Sequence, residues 1–172
     1  MDNEELHLRL AALRLGDKSA FEEIYDGMKT PMYTIILRIT QDKSLVEDIL
    51  QEVFVKLYRS PPEPSKNPRA YLFQMARNLA LDGLRKQTQF VDIEDVADAT
   101  HAPDDDIPQR LDIDDAINTL SLTERQIVVL RINGGLKFRE ISAALGIPLG
   151  TAIWKYHAAI ERLRNILSGG EI

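Results

Sequence analysis

A chain of 172 residues with 44% hydrophobic content holds enough apolar material for a packed core, in one large or two small domains. No apolar run approaches the roughly 20 residues that span a bilayer, and the acidic start MDNEELHLRL lacks the basic-then-apolar pattern of a secretory signal, so a cytoplasmic protein without membrane insertion is expected. The lack of cysteine excludes a disulfide framework and a thiol nucleophile; the net charge of −6 is uneven, with ten acidic residues against Arg110 alone over residues 92–115 and +3 on the rest of the chain.

The first predicted helix covers residues 3–15, with Leu6, Leu10 and Leu13 on one face and Gly16 near its end. Ser19 and Glu22 stand in capping-box spacing ahead of Phe21, Ile24, Tyr25 and Met28, and Pro31 interrupts or kinks the helix they would open. The run MYTIILRIT is β-branched enough to pass for a strand, but no partner strand follows, and it is read as a buried helix. Ser44 and Glu47 repeat the capping-box spacing before a helix with Leu45, Ile49, Leu50, Val53, Phe54 and Leu57 on its apolar face; Asp48, Gln51 and Glu52 lie off that stripe.

Four prolines in PPEPSKNP demand an exposed loop, after which Asn67 caps and Pro68 starts a helix through AYLFQMARNLALDGLRKQ. Its core side is Leu72, Met75, Ala76, Leu79 and Gly83, and a glycine there predicts a helix crossing close by. Residues 89–110 lose periodicity, gain Pro103 and Pro108 and carry most of the acidic run, the pattern of a flexible linker between domains at 1–88 and 111–172.

Beyond it, Ile113, Ala116, Ile117 and Leu120 form a short helix, and Ser121 with Glu124 makes a third capping box before ERQIVVLRI, which Asn133, Gly134 and Gly135 stop. The last stretch reads as two helices around a tight turn. Ile141, Ala144 and Leu145 form the buried side of the first, Gly146 ends it, and Pro148 starts a second that runs to Leu167. Leu149, Ala152, Ile153, Tyr156, Ile160, Leu163 and Leu167 fall on one side of that second helix; Thr151, Trp154, Lys155, Ala158, Arg162 and Asn165 fall on the other. Helix–turn–helix is the geometry that lays a helix in the DNA major groove, although many helical hairpins bind nothing. The fold class is all-α: two small helical domains joined by a flexible acidic linker, the second containing the helix–turn–helix.

In order and separation, SLVEDILQEVFVKLYR, NPRAYLFQMARNLALDGLRK, LTERQIVVLR and FREISAALGIPLGTAIWKYHAAIERLR resemble bacterial RNA polymerase sigma factors of the extracytoplasmic-function class, over nearly the whole chain. The resemblance implies a promoter-specificity subunit whose partners are core RNA polymerase, promoter DNA and an anti-sigma factor. It places polymerase contact at Asp48, Gln51, Glu52 and Phe54, the alternative being a solvated acidic face. It places reading and opening of the −10 element on Arg69, Tyr71, Arg77, Asn78, Arg85 and Lys86, which supply cations for single-stranded backbone and platforms for unstacked bases. It places −35 recognition on Arg139, Thr151, Trp154, Lys155, Ala158 and Arg162.

Three departures from the family stand out: Tyr71 where tryptophan is common, a short basic run RKQTQ after the first domain, and Ile153 with Trp154 where basic or small polar residues are usual. Trp154 either stacks on DNA or packs on the other domain or an inhibitor. Two other readings compete. A stand-alone helix–turn–helix regulator would need no polymerase face. An enzyme would need a constellation that the scattered His7, His101 and His157 do not make, so no catalysis, cofactor, metal or small-molecule substrate is expected.

Overall fold

Helix α1 (Asn3–Arg14) is capped by Asp2, whose carboxylate accepts from the Glu5 amide, and it buries the predicted stripe of Leu6, Leu10 and Leu13. This computed structural model describes residues 1–63, 67–91 and 113–168, the side chains of 88–91 and 114 excepted. Helix α2 (Lys18–Thr40) runs unbroken through Pro31, and MYTIILRIT is its buried second half, with Met32, Ile35, Ile36 and Ile39 in the core. Helix α3 (Lys43–Arg59) follows after a two-residue turn whose Gln41 adopts the left-handed conformation at φ 57°.

Two of the three predicted capping boxes do not form. Asp17 caps α2 and Asp42 caps α3, in the repeated tripeptide Asp-Lys-Ser. In each, one carboxylate oxygen accepts from both the amide and the hydroxyl of the serine, at 2.9 and 2.7 Å for Ser19 and 2.8 and 2.6 Å for Ser44. Aspartate wins over serine because it adds a full negative charge at the positive end of the helix dipole and leaves the hydroxyl to donate. These hydrogen bonds, the serine hydroxyl's above all, hold both carboxyls below the ordinary aspartate range.

Asn67 Oδ1 accepts from the Ala70 amide at the start of α4 (Pro68–Val91), which buries Leu72, Phe73, Ala76 and Ala80. A Cβ on Gly83 would stand 3.2 Å from Ile49 Cδ1, so the glycine does mark a close crossing, that of α4 over α3. Helices α1–α4 thus form one bundle. The linker expected over 89–110 lies outside the described residues, apart from 89–91, where the backbone continues α4.

The second group is α5 (Ile113–Asn118), α6 (Leu122–Ile132), α7 (Phe138–Leu145) and α8 (Leu149–Leu167). Here the capping box forms: Glu124 N donates to Ser121 Oγ and Ser121 N donates to Glu124 Oε2. All residues from Glu124 to Leu130 are buried, because α6 is packed from two sides. Val128 joins Ala116, Ile117, Leu120, Ala159 and Leu163 in a small cluster. Ile127, Val129 and Leu130, with Leu136 and Ile141, join the core of α1–α4. Helix α6 rests on α2 and α7 on α4, so the two groups meet across a shared apolar seam.

Candidate nucleic-acid and polymerase interfaces

The helical hairpin is built as its sequence spacing predicts. Gly146 closes α7 in the left-handed conformation at φ 64°, the Ile147 carbonyl accepts from Ser142 Oγ at 2.6 Å, and Pro148 caps α8. Phe138 meets Tyr156 edge to face at 5.2 Å, fixing α7 on α8, while the Arg131 guanidinium lies 4.8 Å from the Phe138 ring and donates to the Leu136 carbonyl. Gly134, in the turn between α6 and α7, has no room for a side chain, since a Cβ there would stand 2.6 Å from the Leu130 carbonyl oxygen.

On α8 the buried stripe is narrower than predicted. Ala152, Ala159 and Leu163 are buried and Ile153, Tyr156 and Ile160 half-buried, but Leu149 and Leu167 at the helix ends are exposed among the described residues. Trp154 is 67% exposed, and the Lys155 ammonium stands 5.9 Å from its ring, so indole and cation form one outward unit. Thr151, Lys155 and Ala158 are half-buried beside it, and Arg139 is exposed on α7. Arg162 is half-exposed but engaged: its Nη1 lies 3.1 Å from Glu124 Oε2, tying α8 to the cap of α6. The Ser121 hydroxyl first, and Arg162 after it, hold the Glu124 carboxyl below its ordinary range against the opposing effect of burial.

On α4, Tyr71, Asn78, Arg85 and Lys86 are exposed, with Arg85 Nη1 3.4 Å from Asp82 Oδ1. Arg69 and Arg77 are half-buried against the second group of helices. Arg77 donates through Nε to Gln126 Oε1 on α6 at 2.7 Å and through Nη1 to Asn78 Oδ1 at 3.0 Å; burial, then the neighbouring Arg85, pushes its pKa down. Arg69 donates through Nη2 to the Gly134 carbonyl at 3.2 Å and lies 5.5 Å from the Phe73 ring. Beside them the Asn67 amide donates to Glu140 Oε1 on α7, whose other oxygen accepts from the Lys137 amide. Gln126 and Glu140 had no marker in the sequence as partners of α4.

On α3, Asp48, Gln51 and Glu52 are exposed, and Glu52 pairs with Lys56 at 2.9 Å. Phe54 is not on that outer face. It is 4% exposed, 4.7 Å from the Tyr25 ring and 6.2 Å from Phe21, at the floor of an apolar groove of about 840 Å³ between α2 and α3. The correction follows from its place on the apolar stripe: α2 covers that side of α3. Phe21, Tyr25 and Tyr58 line the groove with it. The i, i+4 aromatic pairs Phe21/Tyr25 and Phe54/Tyr58 are the sequence signal that marks it.

Among the described residues no helix is long and apolar enough to cross a membrane, and no cluster of His, Asp and Glu is placed to hold a metal ion. The description "Sigma-70 region 2" matches residues 24–90 and "Sigma-70, region 4" matches residues 110–163. The chain is 34% identical over 166 residues to the RNA polymerase sigma factor CarQ of Myxococcus xanthus, covering 92% of this chain and 95% of CarQ. It is 27% identical over 181 residues to the ECF RNA polymerase sigma factor SigK of Mycobacterium ulcerans, covering 96% of this chain and 95% of SigK. Its fold resembles CnrH, solved in complex with the cytosolic domain of CnrY, at TM-score 0.70 and 17% identity over 97% of this chain and 99% of CnrH. It also resembles RpoE of Bartonella quintana, solved with the anti-sigma factor NepR, at TM-score 0.68 and 22% identity over 86% of this chain and 96% of RpoE.

Proposed function

The chain belongs to the extracytoplasmic-function class of RNA polymerase sigma factors, and from that membership we propose a division of labour among its helices. As a sigma factor it binds core RNA polymerase and promoter DNA and directs promoter-specific transcription initiation. In our reading the domains are 1–88 and 111–172, joined by the acidic segment 89–110, and the chain acts in the cytoplasm as a binding subunit rather than a catalyst. Asp48, Gln51 and Glu52 on the outer face of α3, with the groove floored by Phe54, meet the polymerase. The α4 residues Arg69, Tyr71, Arg77, Asn78, Arg85 and Lys86 read and open the −10 element, cations tracking the backbone and Tyr71 offering a stacking face.

The −35 element is read by Trp154 and Lys155, with Thr151, Ala158 and Arg139 beside them. The observation that carries this assignment is the outward indole–ammonium unit on the second helix of a helix–turn–helix. An indole has one N–H donor and a broad apolar face, suited to a thymine methyl or a sugar, whereas the ammonium suits a phosphate or guanine. Arg162 joins them when it leaves Glu124. A partner of the kind seen with RpoE, an anti-sigma factor, is proposed as the regulator.

Reconstitution with core polymerase tests the assignment. Trp154→Ala is expected to weaken binding to the cognate −35 element about 5- to 100-fold while leaving core binding unchanged. Lys155→Ala should weaken binding to all sequences and lower the salt dependence by about one counterion. Unchanged promoter affinity in both variants would remove α8 as the reading helix. A regulator that works without polymerase is not favoured, because the region 2 match spans 24–90.

A further inference from the structure

We propose that residues 1–3 staple three helices together, and that Asn3 is a positioning residue for the first turn of α4, where Arg69 and Tyr71 sit. The functional half of the proposal rests on the reading of α4 as the −10 helix given above.

Three neighbouring side chains serve three different helices. Met1 lies against α2, where a Cβ on Gly27 would stand 3.0 Å from the Met1 Cβ. Asp2 caps α1, its Oδ1 accepting from the Glu5 amide at 2.9 Å. Asn3 turns to α4: its Oδ1 accepts from the Arg69 amide at 3.1 Å, across 66 positions of sequence.

That bond completes the start of α4. The first amides of a helix have no carbonyl partner within it and need one from elsewhere. Pro68 has no N–H to satisfy, and the Ala70 amide donates to Asn67 Oδ1 at 3.3 Å. Asn67 is then fully committed, because its own amide nitrogen donates to Glu140. The Arg69 amide is the one that the cap of α4 does not serve, and its acceptor comes from α1. The far end of α1 holds the same stretch of chain, since Arg14 Nη2 lies 2.8 Å from Glu63 Oε1, ahead of α4. Asn3 and Arg14 stand roughly 16 Å apart along the helix, so α1 is a strut between the chain at Glu63 and the start of α4. Glu63 is exposed, and an exposed ion pair contributes little. The amide acceptor therefore carries the positioning.

Tyr71 is two residues beyond the amide that Asn3 holds. Leu72, Phe73 and Ala76 anchor the body of α4 in the core, whereas the turn before them depends on its capping bonds. When that turn frays, the Tyr71 ring and the Arg69 side chain shift relative to the rest of α4, and a displaced platform captures unstacked bases less well.

Asn3→Ala removes the acceptor and Asn3→Asp keeps one. In the full chain, hydrogen exchange at the Arg69 amide should be about fivefold faster in Asn3→Ala and return to the wild-type rate in Asn3→Asp. With core polymerase on a promoter duplex, strand opening across the −10 element, read by permanganate footprinting, should be about fivefold slower with Asn3→Ala and normal with Asn3→Asp. Binding to core and to the −35 duplex should stay within about twofold. An Asn3→Ala/Tyr71→Ala double variant should open no more slowly than Tyr71→Ala, because both changes act through one turn. Unchanged exchange at Arg69 would overturn the proposal, as would equal losses in Asn3→Ala and Asn3→Asp, or additive losses in the double variant. So would normal opening by Asn3→Ala where Tyr71→Ala slows it. Should Tyr71→Ala open normally while Asn3→Ala opens slowly and exchanges faster at Arg69, the −10 role of Tyr71 falls and the staple stands.

Discussion

In α1–α4 each helix buries one stripe against its neighbours, whereas in α5–α8 one short helix, α6, is buried all round and the others lie against it or against the first bundle. The first bundle holds most of the fully buried large side chains, among them Phe73, Met28, Met32, Ile36 and Leu57. The second has one small cluster of its own and hands Ile127, Val129 and Leu130 to its neighbour's core. A helix that serves two cores makes the second region depend on the first for part of its stability. It also makes the joint between them the natural place for a conformational equilibrium.

The largest expected effect breaks that dependence at its source. Leu57 is fully buried in the first bundle, and Leu57→Ala should cost about 2–5 kcal/mol in denaturant unfolding. Because α6 packs on α2, hydrogen-exchange protection should fall in α6 as well as in α1–α4; full protection of α6 in this variant would show the second region to be self-sufficient. A smaller loss is expected at the turn that places the Arg69 acceptor. Gly134→Ala brings a methyl against the Leu130 carbonyl and should cost about 1–3 kcal/mol, lowering the thermal midpoint.

The smallest effect separates the ways the helices are capped. Asp17 and Asp42 have depressed folded pKa values, so their stabilisation is fully present above the ordinary aspartate value of about 3.9 and is lost as pH falls through the folded values. Stability measured against pH should therefore be flat in this respect above about pH 5 and fall below about pH 4. Asp17→Asn/Asp42→Asn should shallow that acid limb, and an unchanged limb would place the acid sensitivity elsewhere, as at Glu124.

Local spacing carried much of this architecture in readable form. Leu6, Leu10 and Leu13, the buried half of α2, the Asn67–Pro68 start, the Ser121–Glu124 box and the Gly146–Pro148 turn each depend on residues within a few positions of one another. The Ser19 and Ser44 boxes misread the same kind of signal, because two residues earlier an aspartate competes for the cap with a full charge. Leu149 and Leu167 fit the periodicity of α8 but are exposed at its two ends among the described residues, and Ala159 is buried outside the predicted stripe. Of the site residues, the exposure of Trp154 follows from its angle on α8. The engagement of Arg162 with Glu124 does not, since those residues are 38 positions apart.

The helices, their order, the helix–turn–helix and the family can all be read along the chain, because capping, periodicity and turn chemistry are set by neighbours in sequence. Which cations are engaged across helices, the place of Phe54 at the floor of a groove and the sharing of α6 between two cores follow instead from packing. Those outcomes rest on pairs such as Arg77–Gln126 and Asn67–Glu140, separated by 49 and 73 residues. Side chains so far apart meet only where packing of the apolar stripes brings their helices together, and no local spacing encodes that meeting.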